Sequence, residues 1–178
     1  MDFTQNYFDL LSVPQQFMLD KKHASENYRK LQKQFHPDNF VSQPANDQRL
    51  AVQFSAYVNT AHQTLLSPVS RAQYLLELAG HADNQQFVTI KDGMFLMMQM
   101  EWREEFTAIS VLKDSELAEA QLGELEQSVR NAFLSTQALF EDQYEQQRFM
   151  DAKQAVAKLH FIEKMMDKIE SLDSTLFD

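Results

Sequence analysis

The sequence predicts an all-α protein in two parts: a helical hairpin with short flanking helices, then a three-helix bundle. Three observations carry this. Only 3 Gly and 4 Pro stand among 178 residues, too few for a turn-rich β fold. No run alternates β-branched and polar side chains. Apolar residues recur instead at three- and four-residue spacing over most of the chain. A hydrophobic share of 44% supplies enough material for a core.

The elements follow in order. Residues 6 to 10 read as a short helix that enters a turn at Ser12-Val13-Pro14. Asp20 is a candidate N-cap, because its carboxylate can accept the free N–H groups of the next helix. Ala24, Tyr28, Leu31 and Phe35 form that helix's buried stripe. Lys22, Arg29, Lys30 and Lys33 fall mainly on the other side. Residues 37 to 43 form a loop, and Pro44 suits the first turn of a third helix. Leu50, Phe54, Tyr57, Val58, Ala61 and Leu65 are its inward face. Two such helices joined by a short loop pack antiparallel. Ser67-Pro68 reads as N-cap and first residue of a fourth helix carrying Ala72, Leu75, Leu76 and Ala79, with Gly80 just past its end.

Residues 81 to 91 are expected to link the domain of residues 1–80 to a second domain, 92–178. There, one helix runs from about Asp92 to Ile109. A second starts at Asp114 or Ser115, with Leu122, Leu125, Val129, Ala132, Phe133, Thr136 and Phe140 on one face. A third runs from about Glu145 to Leu172, with Ala152, Val156, Leu159, Ile162, Met166 and Ile169 inward. Three long amphipathic helices with short connections make an antiparallel bundle.

Composition narrows the function. The net charge of −10 argues against general binding to nucleic acid or anionic membranes. No apolar run approaches a bilayer span. The opening Met1-Asp2-Phe3-Thr4-Gln5 lacks a basic region, so no signal peptide is expected. The absence of Cys removes disulfides, thiolate metal sites and thiol nucleophiles, and suits a reducing compartment; a cytoplasmic location is expected. His23, His62, His81 and His160 have no metal-ligand spacing. No cofactor is expected. The charge is also uneven: residues 20 to 36 carry +3 and the remainder −13. A local basic element on an acidic chain points to an acidic protein partner.

That basic helix ends in His36-Pro37-Asp38. Proline disfavours helical geometry at the residue before it, so the helix stops near Phe35 or His36 and the tripeptide sits on a surface turn. The bland reading is an ordinary helix-ending turn. The functional reading gives Asp38 a charge-assisted pair with a partner arginine, Pro37 a preset turn, and His36 hydrogen bonds or packing. The run Tyr7-Phe8-Asp9-Leu10-Leu11, the helix closing Leu31-Gln32-Lys33-Gln34-Phe35-His36-Pro37-Asp38, and Asn59-Thr60-Ala61 resemble a J-domain. Arg71-Ala72-Gln73-Tyr74-Leu75-Leu76 and the segment from Phe95 to Glu105 resemble the HscB family, J-type co-chaperones of bacterial iron–sulfur cluster assembly.

The resemblance covers nearly the whole chain. It implies a non-enzymatic adaptor that stimulates ATP hydrolysis by the DnaK-type chaperone HscA and brings it the scaffold protein IscU. His36, Pro37 and Asp38 map onto the family's essential loop, with Arg29, Lys30 and Lys33 steering the chaperone. A solvated helix face is the plain alternative for those cations. Asn39 stands where the family often has a basic residue, and Ala108 where it often has an acidic one.

In the helix from Asp92, Phe95, Met98, Trp102, Phe106 and Ile109 share one side. Leu96, Met97 and Met100 lie nearly opposite, beside Glu101 and Glu104. A bundle helix has one face to bury, so the second meets either a partner or the first domain. Methionine suits an adaptable contact. Phe161 points away from the Leu159–Ile162 stripe and matches a scaffold-binding position of the family. Two other readings compete: a helical adaptor with an incidental His-Pro-Asp loop, and a metal-dependent hydrolase using His36, Asp38 and distant carboxylates.

Overall fold

The computed structural model describes residues 1–82, 89–112 and 115–176, and every regular element among them is helical. Asp114, one candidate start of the second bundle helix, lies outside the described residues, as do residues 83–88 of the expected linker. The chain forms two compact units, Met1–Gly80 and His81–Asp178.

The first unit contains α1 (Tyr7–Leu10), α2 (Lys21–Phe35), a 3-10 turn (Pro37–Phe40), α3 (Ala45–Leu66) and α4 (Pro68–Leu78). Asn6 starts α1 by accepting the Asp9 N–H at 3.0 Å. Asp20 starts α2 by accepting the His23 N–H at 2.9 Å. Ala24 is fully buried, while Tyr28, Leu31 and Phe35 pack half-buried against Leu10, Phe54, Val58 and Ala61. Polar contacts then fix the register of the hairpin. Ser25 Oγ lies 3.2 Å from His62 Nε2. Tyr28 Oη and Gln32 Nε2 both donate to Asn59 Oδ1, at 2.9 and 2.6 Å. The Phe35 ring meets Phe54 edge-on at 4.7 Å. Partner numbers fall along α3 as they rise along α2, so the two helices run antiparallel.

Two details of α3 differ from the sequence expectation. Pro44 precedes the helix as its N-cap, with extended geometry (ψ 148°), instead of sitting in the first turn. The inward face turns on fully buried Ala51, leaving Leu50 and Tyr57 half-buried. Ser67 caps α4 by accepting the Ser70 N–H at 3.1 Å. Gly80 then leaves α4 with φ +79°, a left-handed conformation that glycine adopts without a Cβ clash. Arg71 is buried within this unit. Its guanidinium donates to the main-chain carbonyls of Phe17, at 2.7 Å, and Leu65, and lies 5.0 Å from the Phe17 ring centre. Tyr74 stacks on Tyr7 at 4.4 Å, and its hydroxyl accepts the Tyr7 N–H.

The second unit contains α5 (Gly93–Ser110), α6 (Ser115–Glu145) and α7 (Phe149–Leu176). Helix α6 continues to Glu145, where the sequence reading began the last helix. The reversal falls at 146–148 and uses Gln147 at φ 57°. Helices α6 and α7 form the main pair, and α5 lies chiefly against α6. The core joins Phe95, Trp102 and Ile109 of α5 to Ala118, Leu122, Leu125 and Val129 of α6 and Ile162, Met165 and Ile169 of α7. Met165 is buried and Met166 flanks the core, the reverse of the expected order. The described ends of the segment between Gly80 and Asp92 touch this unit. His81 stacks on Phe149 at 4.2 Å, and Gln154 Nε2 donates to the Thr89 carbonyl at 3.1 Å.

Candidate functional site

The His-Pro-Asp turn begins where α2 ends. Pro37 takes the first position of the 3-10 turn, so no helical N–H is lost. His36 closes α2 with φ −59° and ψ 133°. Its Nδ1 accepts the Asp38 N–H at 3.3 Å. In the neutral ring this places the proton on Nε2, which remains a donor for a partner. The Asp38 carboxylate lies 3.4 Å from the same Nδ1, and its side chain is 84% exposed. Asp38 therefore presents a carboxylate to solvent just beyond a helix C-terminus, where the helix dipole disfavours negative charge. A partner cation would relieve that repulsion.

Two side chains hold this turn. Asn39 Nδ2 donates to the carbonyls of Lys33 (2.8 Å) and Gln34 (3.4 Å), capping the end of α2. Gln48 Nε2, from α3, donates to the carbonyls of Val41 (3.1 Å) and Gln43 (2.8 Å). Both were missed as site residues in the sequence. Asn39 had a partial signal, since an Asn side chain in a turn commonly hydrogen-bonds nearby main-chain groups. Gln48 had none.

Arg29, Lys30 and Lys33 are exposed on α2, and none is ion-paired among the described residues. Lys30 donates to Asn27 Oδ1, at 3.0 Å. Beside them, His62 has its pKa lowered by burial and by the Arg29 charge.

The second candidate surface lies on α5. Phe95, Trp102 and Ile109 are buried, with Met98 and Phe106 half-buried beside them. On the other side Leu96 is 42% exposed, Met97 64% and Met100 63%, and Glu101 and Glu104 are exposed. The start of α5 is fastened to α7. Asp92 accepts the Phe95 N–H at 3.1 Å and a Lys158 Nζ proton at 2.6 Å. The Lys158 hydrogen bond, then the Phe95 amide, hold its carboxyl below the usual range. Lys158 also lies 5.4 Å from the Phe95 ring centre. Phe161 corrects the sequence expectation. It does not turn wholly away from the buried stripe but packs half-buried on the core, its ring edge-on to Phe95 at 6.0 Å. Its position one turn from Lys158 makes this contact part of the α5–α7 clamp.

Among the described residues no three His, Asp or Glu side chains gather in a way that could hold a metal ion. No described helix is long and apolar enough to cross a membrane.

A helical hairpin whose connecting turn presents His-Pro-Asp, followed by a separate three-helix unit, is the arrangement of a two-domain J-protein. Residues 6–74 match the DnaJ domain, and residues 91–170 match the HSCB C-terminal oligomerisation domain. A co-chaperone protein HscB homolog of Aliivibrio fischeri is 39% identical over 171 residues, covering 96% of this chain and 98% of its own. The corresponding homolog of Photobacterium profundum is 40% identical, covering 97% and 99%. The solved structure of the chaperone HscB from Vibrio cholerae superimposes with a TM-score of 0.84 at 38% identity, covering 97% of this chain and 99% of that one. Human co-chaperone protein HscB gives a TM-score of 0.85 at 28% identity, covering 96% and 83%. The chain belongs to the HscB family of co-chaperones.

Proposed function

We propose that this chain stimulates ATP hydrolysis by the DnaK-type chaperone HscA and delivers to it the iron–sulfur scaffold protein IscU, in the cytoplasm. The observation that carries the proposal is the exposed His36-Pro37-Asp38 turn, braced from both sides and flanked by unpaired cations. Bracing lowers the conformational entropy lost on docking. Arg29, Lys30 and Lys33 speed encounter with an acidic chaperone surface, and Asp38 supplies the charge-assisted contact. The protein itself contributes no bond-making group; it binds and so shifts the chaperone toward a hydrolysing state.

Leu96, Met97, Met100 and Phe161, rimmed by Glu101 and Glu104, are the proposed contacts to IscU. The exposed α5 side chains would each contribute about 1–2 kcal/mol on burial, before association costs. That scale suits a cargo that must be released.

The test is single-turnover ATP hydrolysis by HscA with this protein, IscU, or both. Stimulation by this protein that rises further with IscU supports both halves of the proposal. No stimulation under any combination would leave a helical adaptor with an incidental loop.

A further inference from the structure

We propose that Met94, Met97 and Met100 form a peroxide-sensitive modification site that switches off the α5 partner face. Five methionines beyond the N-terminal residue are well exposed: Met18, Met94, Met97, Met100 and Met150. Three of them stand at three-residue spacing at the start of α5, so they neighbour one another along one side of the helix. Met94 is the most exposed, at 83%. Met165 by contrast is buried, and Met98 and Met166 are half-buried against the core. The chain has no cysteine, so no thiol within it competes for the oxidant.

The chemistry is a two-electron oxygen transfer. A lone pair on the thioether sulfur attacks one oxygen of hydrogen peroxide, and the O–O bond breaks. Sulfur keeps that oxygen as a sulfoxide; the other leaves as water after taking the proton. The product is polar and chiral where the contact needs an adaptable apolar group. Reversal requires an external dithiol reductase of methionine sulfoxide, because this chain holds no thiol to supply the electrons. The effect on binding rests on the α5 face being the IscU contact.

The experiment uses full-length protein carrying Met18→Leu and Met150→Leu, two positions outside both proposed surfaces. Its exposed internal sulfurs then all lie on α5. Hydrogen peroxide should add about 16 Da per sulfoxide to Met94, Met97 and Met100 before Met98, Met165 or Met166. IscU affinity should fall about tenfold or more, the scale of stranding a polar group in an apolar contact. Helicity and IscU-free stimulation of HscA should be unchanged, and reductase with dithiol should restore binding. Full sulfoxide at the three positions with unaltered affinity would overturn the switch. Oxidation of the core methionines first would overturn the site itself. Failure of the untreated protein to bind IscU would instead refute the delivery proposal and its consequence for binding, and the mass map would still decide the site.

Discussion

Asn39→Ala isolates what bracing contributes to the His-Pro-Asp turn. The substitution removes one good hydrogen bond, to the Lys33 carbonyl at 2.8 Å, and one long bond, to the Gln34 carbonyl at 3.4 Å. Both acceptors lie at the end of α2, where water can partly replace the amide. The net loss is therefore about 1 kcal/mol, the usual worth of one intramolecular hydrogen bond. If the turn must be ordered to dock, that loss becomes about a fivefold rise in the concentration giving half-maximal stimulation of HscA. The maximal rate should hold, because His36, Pro37 and Asp38 remain in place. Single-turnover hydrolysis titrated with variant protein separates the two quantities. An unchanged midpoint would refute the bracing argument. A lower maximal rate at an unchanged midpoint would show that Asn39 acts in the chaperone contact itself.

Three further outcomes are expected. His36→Gln should abolish stimulation of HscA while circular dichroism and IscU binding stay as in the parent, since it removes the ring whose Nδ1 accepts the Asp38 N–H. Met97→Ala with Leu96→Ala should weaken IscU binding by about tenfold or more in calorimetry, leaving IscU-free stimulation intact. Adding Phe161→Ala would confound that result, because Phe161 also packs on Phe95, an aromatic pair worth about 0.5–1.5 kcal/mol. Acidification should loosen the α2–α3 hairpin. Burial and Arg29 lower the His62 pKa in the fold, so below about pH 6.5 the unfolded chain binds the extra proton and stability is lost as the pH drops. Hydrogen exchange in α2 and α3 reads this unit apart from His160, which is also lowered in the second unit. His62→Phe keeps the stack on Tyr28 and should flatten the dependence; an unaltered slope would sink the assignment.

What was legible in the sequence is what local chemistry determines. Asp20, Ser67 and Asp92 each accept an N–H three residues on, a relation that needs nothing beyond its own turn. The apolar stripes were readable for the same reason, since a helix brings residues three and four apart together. The reversal between α6 and α7 was not. Gln146-Gln147-Arg148 contains neither Gly nor Pro, and only the structure shows Gln147 taking the left-handed conformation. Gln48 bracing the Val41 carbonyl and Phe161 meeting Phe95 depend on contacts that neither spacing nor propensity encodes.

The deeper difficulty is that residues satisfied within the fold and residues proposed to meet a partner look alike in sequence. Arg29 and Arg71 both follow helical patterns. Arg29 is exposed, whereas Arg71 is sealed against two main-chain carbonyls and the Phe17 ring. Lys33 and Lys158 differ in the same way. Lys33 is exposed at the end of α2, while Lys158 is largely covered and bound to Asp92. A cation satisfied inside its own fold has little left for a partner, because its charge already meets an acceptor. The exposed cations on α2, unpaired among the described residues, and the exposed apolar side of α5 are the proposed contact surfaces because their chemistry is unsatisfied where that of Arg71 and Lys158 is met. That property belongs to the three-dimensional surroundings of a side chain, and the one-dimensional pattern does not contain it.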